Sequence, residues 1–241
     1  MVGIMLLLCS IMPFTACTST EDEPYKPETE QPSDDPNNNE EEDNDTTPVY
    51  GHLTTANTVS DVVNHEAFNG FGRFILPAER SYNDNMTLQN VASMLPYHNY
   101  ITGERAVETI NTMVDYVHDG NTLFYDIYSD ADKQADSRKN NTGLFFFRGE
   151  PGKPFAIVCP GGGFSYVGAI HEGFPLAIAL SKMGYNAFSI QYRTGGAQVA
   201  CEDLAGAIDF IMRHAEELQV LTDDYSLWGG SAGARMAAYL G

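Results

Sequence analysis

An α/β fold with a doubly wound, mainly parallel sheet is predicted for the second half of the chain by three observations. From residue 122 onward, short apolar runs alternate with amphipathic stretches, the order that βαβ units impose. The run Pro154-Phe155-Ala156-Ile157-Val158-Cys159 is apolar at every position, as a strand covered on both faces must be. The last residues read Tyr225-Ser226-Leu227-Trp228, then Gly229-Gly230-Ser231-Ala232-Gly233, then Ala234-Arg235-Met236-Ala237-Ala238: an apolar strand, a glycine-rich turn carrying a serine, and good helix formers.

The elements follow in order. Residues 1–16 form an apolar leader whose h-region is too short for a spanning helix, which needs about 20 apolar residues. It ends Phe14-Thr15-Ala16-Cys17, and small residues before a Cys resemble a bacterial lipobox, which makes Cys17 the expected lipidation site. The first positive charge is Lys26, so the basic start of a signal peptide is missing from this leader. A plain secretory signal is the other reading.

Residues 17–50 are predicted to be a disordered acidic tether. From Thr18 on it holds five prolines, an Asn run at Asn37–Asn39, and twelve acids against one base, a net of −11 out of the chain's −20. Such a segment is too polar to build a core and too charged to collapse. Glu21, Asp22 and Glu23 resemble the surface-export signal of Bacteroidetes lipoproteins, with a solvated spacer as the alternative. The acidity belongs mostly to the tether and argues against a nucleic-acid partner, which calls for a basic face.

Residues 51–121 read as an N-terminal extension of uncertain structure. Phe68, Phe71, Phe74, Ile75 and Leu76 form an apolar patch, and Val107, Ile110, Val114 and Val117 recur at helical spacing before Gly120. His98, between Tyr97 and Tyr100, is either a pocket residue or a structural histidine. Residues 122–241 are the α/β domain. Leu123–Tyr128 and Gly143–Arg148 are predicted as a hairpin around a polar turn at 129–141. Pro175–Met183 is predicted as a helix closed by Gly184, Asn186–Tyr192 as a strand, and Leu204, Ile208, Ile211, Ala215 and Leu218 as one face of a helix. Cys159 and Cys201 have no metal or disulfide spacing and read as small buried hydrophobes. The sequence predicts neither a metal site nor a cofactor.

Two segments carry chemistry. G-x-S-x-G between a strand and a helix is the arrangement that exposes a nucleophilic serine on a sharp turn, and a Cβ at Gly229 or Gly233 would strike neighbouring backbone there. Pro160-Gly161-Gly162-Gly163-Phe164 directly follows the apolar strand, and glycines let backbone N–H groups approach a developing negative charge. A phosphate-binding P-loop is excluded because no Gly-Lys-Ser/Thr follows, and a dinucleotide G-x-G-x-x-G because Tyr166 stands at its third glycine.

Together these pieces resemble an α/β-hydrolase of the acetyl-esterase, xylan-esterase and hormone-sensitive-lipase-like group. The resemblance runs from Pro160 to Gly233 through His171-Glu172-Gly173, Gly184-Tyr185, Tyr192-Arg193 and Glu202-Asp203-Leu204 with Ala207, about a hundred residues. It implies Ser231 as the nucleophile and the N–H groups of Gly162, Gly163 and Ala232 as an oxyanion hole, with Pro160 where the group has His. Glu172 and Arg193 are expected to pair or cap the scaffold. In this fold the triad acid and His follow the serine, yet no His, Asp or Glu lies among the ten residues after Ser231, and all six His precede it. The chain is therefore expected to be an incomplete, C-terminally truncated α/β-hydrolase, inactive by itself. The parent is expected to be a lipid-anchored serine esterase of the cell envelope, removing small acyl groups such as acetyl from carbohydrate. A non-catalytic surface binding protein on the same scaffold and a secreted serine peptidase are the alternatives.

Overall fold

The computed structural model describes residues 51–77, 79–80, 82–95 and 101–241. The leader, Cys17, the tether and the Tyr97–His98–Tyr100 cluster lie outside the described residues.

In the N-terminal extension, Thr58 accepts from the Asp61 N–H and Asp61 from the Thr58 N–H, so a capping box starts α1, Val59–Val63. Short 3-10 turns follow at Glu66–Phe68, Gly72–Phe74 and Leu88–Met94. Thr102 caps α2, Gly103–His118, which buries Ala106, Ile110, Met113 and Val114. Val107 and Val117 of the predicted stripe sit at the margin of that face, half buried. Gly120 closes the segment at φ +85°.

The hairpin is shorter than its sequence suggested. β1 is only Phe124–Tyr125, and the expected turn holds two pieces of helix. Ser129 and Asp132 make a second capping box that starts α3, Asp130–Ala135, and Asp136 caps a 3-10 turn at Ser137–Asn141. β2, Gly143–Phe147, is buried throughout, as is β3, Pro154–Cys159, apart from its first residue. A π-helical turn at Ala169–Gly173 leads into α4, Phe174–Lys182, and then β4, Asn186–Gln191. The single helix expected up to Leu218 breaks at His214 into α5, Ala197–Arg213, and α6, Ala215–Leu218. β5, Leu221–Gly229, is longer than the predicted strand, with a register shift against β3, and α7 is Ala232–Leu240.

The sheet order is β1-β2-β4-β3-β5. β4, β3 and β5 supply the expected parallel part, and the predicted hairpin adds two antiparallel strands, so the whole sheet is mixed. Side-chain alternation along β2 shows both faces covered. Phe145 and Phe147 pack on Phe174 of α4, with ring centroids 4.6 and 6.1 Å apart. Phe146 faces the other way, towards Phe188 and Tyr125, and Tyr125 meets Phe210 of α5. The extension joins the α4 side. Phe71 stacks on Phe124 at 5.0 Å and meets Phe145 at 5.8 Å, while the Tyr116 hydroxyl accepts from the Arg148 N–H. Extension and sheet thus share one apolar core. Among the described residues no helix is long and apolar enough to cross a membrane.

Candidate active site

The site is set by register. Cys159, the last residue of β3, pairs with Gly229, the last of β5. The two strands therefore end level, and the loop after one meets the turn after the other.

The turn after β5 is strained at its centre. Ser231 adopts φ +50° and ψ −117°, a backbone region that L-residues avoid at a cost of about 1–3 kcal/mol. It is solvent-exposed. The Gly233 and Ala234 N–H groups donate to the Gly230 carbonyl at 2.8 and 3.2 Å, and the Arg235 N–H donates to the Ser231 carbonyl at 3.3 Å. The first turn of α7 thus uses these three donors internally. A Cβ on Gly233 would overlap the Cys159 carbonyl, and one on Gly229 would lie 2.5 Å from the Gly233 carbonyl carbon, so helix, turn and β3 are pressed together.

The loop after β3 is folded against this turn. A Cβ on Gly161 would sit 3.2 Å from Ser231 Cβ and 3.0 Å from the Gly230 carbonyl oxygen. Gly162 has φ +139°, and a side chain there would strike the Tyr166 carbonyl. The Gly162 carbonyl accepts from the Ser165 and Tyr166 N–H groups, and the Gly161 carbonyl accepts from the Gly168 N–H. The Gly161 N–H donates to Glu172 Oε2 at 2.5 Å. That bond takes Gly161 out of the set of donors open to a ligand and leaves Gly162 and Gly163. Pro160, standing where a histidine was the family pattern, accepts from the buried Tyr192 hydroxyl at 2.8 Å. Burial first, then nearby Cys159 and Glu172, pushes that hydroxyl's pKa up, so it stays a donor. Burial also pushes the Cys159 thiol up to about 12, which makes it an inert packing group. Cys201 is only partly buried.

Glu172 and Arg193 have structural duties. Glu172 reaches from the π-helical turn to tie down the glycine loop. The Arg193 guanidinium meets Asp203 at 2.8 Å, Asp136 at 2.9 Å and Glu202 at 3.3 Å. Its own N–H also donates to Asp203, whose other oxygen accepts from the Tyr128 hydroxyl. Burial opposes the Arg193 charge, but bonding to Asp203 outweighs it and raises the pKa. His171 is 4% exposed and lines a small cavity with α2 residues Arg105 and Thr109. Among the described residues no histidine hydrogen-bonds to Ser231. One residue that the sequence had not marked also belongs to this region: Phe164, with φ +58°, accepts from the Gly195 N–H at 2.8 Å and fastens the far end of the loop to the segment after β4.

Sheet order, glycine loop and strained serine turn define the class: an α/β-hydrolase fold. Residues 148–241 match the BD-FAE family model, an esterase family. No curated protein matches the chain. Similar solved structures include a sugar hydrolase from Lactococcus lactis, 27% identical over 42% of this chain and 43% of that one, with a TM-score of 0.38. Esterase 2 of Thermogutta terrifontis is 26% identical over 40% of each chain, with a TM-score of 0.38. An acetyl ester-xyloside bifunctional hydrolase from Caldicellulosiruptor lactoaceticus is 22% identical over 48% of this chain and 44% of that one, with a TM-score of 0.42. The chain spans less than half the length of each of these structures.

Proposed function

We propose that the protein is a serine hydrolase of carboxylic esters, acting on small acyl groups such as acetyl carried by carbohydrate. The observation that carries this reading is the placement of Ser231, strained and exposed, against a loop of three glycines. In the proposed reaction Ser231 Oγ forms a bond to the ester carbonyl carbon, and the carbonyl electron pair moves onto its oxygen. The N–H groups of Gly162, Gly163 and Ala232 hold that oxyanion, a contribution of several kcal/mol when donors are preorganised. Collapse of the intermediate breaks the C–O bond to the alcohol, and water then releases the acyl group. The serine proton needs a general base, which the described residues do not place at Ser231. The match of residues 148–241 to an esterase family supports hydrolysis. The motif order from Pro160 to Gly233, which resembles acetyl and xylan esterases, supports the acyl and carbohydrate preference.

The test is covalent labelling of the full-length protein with a fluorophosphonate followed by peptide mapping. Adduct on Ser231, absent from Ser231→Ala, is the expected result. Labelling at another residue, or none, refutes the assignment. We also propose, from the sequence alone, that Cys17 carries a lipid and tethers the protein to the cell envelope through residues 18–50.

A further inference from the structure

We propose that the cavity at the carboxyl end of β4 is a subsite for a neutral, polyhydroxylated ring, the sugar moiety of the ester; this rests on the hydrolase reading above. The cavity has a volume of about 490 Å³ and is built jointly by the N-terminal extension (Arg73, Glu79, Tyr82, Asp84) and by Arg138 and Thr194 of the α/β domain. Its size falls within the roughly 300–1,000 Å³ of small-molecule sites.

Position is the first argument. The cavity opens at the same end of the sheet as Ser231. β3 lies between β4 and β5, whose axes are thus two strand spacings of about 4.8 Å apart. The glycine loop forms the bridge. Glu79 is bonded both by the Val167 N–H of that loop and by Gln191 at the end of β4. Arg80 lies over the Tyr166 ring, 5.2 Å from its centroid. Residues before the sheet thus form one wall of the cavity and also contact the loop that packs on the serine turn.

Charge decides the ligand class. Three guanidiniums line the cavity, which at first sight suits an anion. Each is already engaged. Arg193 is matched by three carboxylates. Arg138 makes a two-pronged contact with Asp136 at 2.8 and 2.9 Å. Arg73 donates to Asn141 Oδ1 at 2.7 Å and to the Asn140 carbonyl. Against them the cavity sets the carboxylates of Glu79 and Asp84. An anion entering here meets two carboxylates, Glu79 and Asp84, against one guanidinium, Arg73, that bonds only to neutral acceptors. A neutral ring with several hydroxyls finds planar donors and acceptors in quantity, with the Tyr82 ring as an apolar face. Much of the Glu79 residue is exposed, but its carboxyl end is desolvated, which raises its pKa despite the Val167 and Gln191 bonds. Burial, together with the charges of Asp84 and Glu79, also raises the Tyr82 hydroxyl, so it remains a donor.

The experiment is calorimetric titration of the full chain with four neutral disaccharides (xylobiose, cellobiose, mannobiose and galactobiose) and with inorganic phosphate. At least one disaccharide is expected to bind saturably, with no displacement by phosphate. Tyr82→Ala and Asp84→Ala are each expected to weaken it about tenfold, the loss of roughly one good contact, with the thermal transition unchanged in Asp84→Ala. Failure of all four sugars to bind, tighter binding by phosphate, or sugar binding that survives both substitutions overturns the subsite. Ser231 labelling is read on the same samples. Label without sugar binding removes the subsite and leaves the hydrolase reading; sugar binding without label removes the hydrolase reading instead.

Discussion

At the scale of single residues the site shows function set against stability. Ser231 holds a backbone conformation suited to glycine, and the turn keeps it there through the bonds to Gly230 and by close packing on Cys159. Glycine at this position relieves the strain. Ser231→Gly is therefore expected to raise stability by about 1 kcal/mol or more while abolishing fluorophosphonate labelling. Ser231→Ala, which loses the same hydroxyl but keeps a Cβ, is expected to lose labelling without that gain. Thermal unfolding of the three proteins side by side checks this: equal midpoints for Gly and Ala variants contradict a strained turn.

At the scale of elements, the segment after β4 is held by one buried carboxylate. Asp203 is fully buried on α5, and it receives the Arg193 guanidinium, the Arg193 N–H and the Tyr128 hydroxyl. Asp203→Ala leaves Arg193 buried beside only Asp136 and Glu202. Removing one partner of a buried pair costs about 3–5 kcal/mol, and the two remaining carboxylates place this case near 3. Urea unfolding measures it; a loss below about 1 kcal/mol contradicts a structural role. This scale also shows what the sequence carried and what it did not. The apolar run of β3 and the strand–turn–helix around Ser231 were legible because burial on two faces and a tight turn each restrict residue type. The helices within 129–141 were marked by Ser129 and Asp132, a capping box hidden in a stretch that looks polar and loop-like. The break at His214 had no periodic signal, since Ala215 and Leu218 keep the apolar step across it. The cavity at β4 was invisible. Glu79, Tyr82 and Arg138 are far apart in sequence and share no pattern, and only tertiary packing brings them together.

At the scale of the whole molecule, the proposed lipid anchor and the proposed catalytic turn are separable. Over half of the net charge lies in residues 18–50, in sequence before the sheet and the extension. Cys17→Ser is accordingly expected to shift the protein from the membrane to the soluble fraction with the thermal transition of the folded part unchanged. Retention in the membrane fraction, with unaltered mass, contradicts lipidation at Cys17.

The way the extension packs also bears on how the chain is made. Phe71 and Phe74 stack on Phe124, Phe71 also meets Phe145, and Tyr116 meets Phe147, and those strands in turn need β4 beside them. Synthesis runs from the amino end at roughly 5–20 residues per second, so the extension leaves the ribosome several seconds before the surface it covers exists. Through that interval Phe68, Ile75, Leu76 and the apolar face of α2 are open to other chains. The order of the gene thus places this exposed interval on the very segment that later walls the cavity at the end of β4.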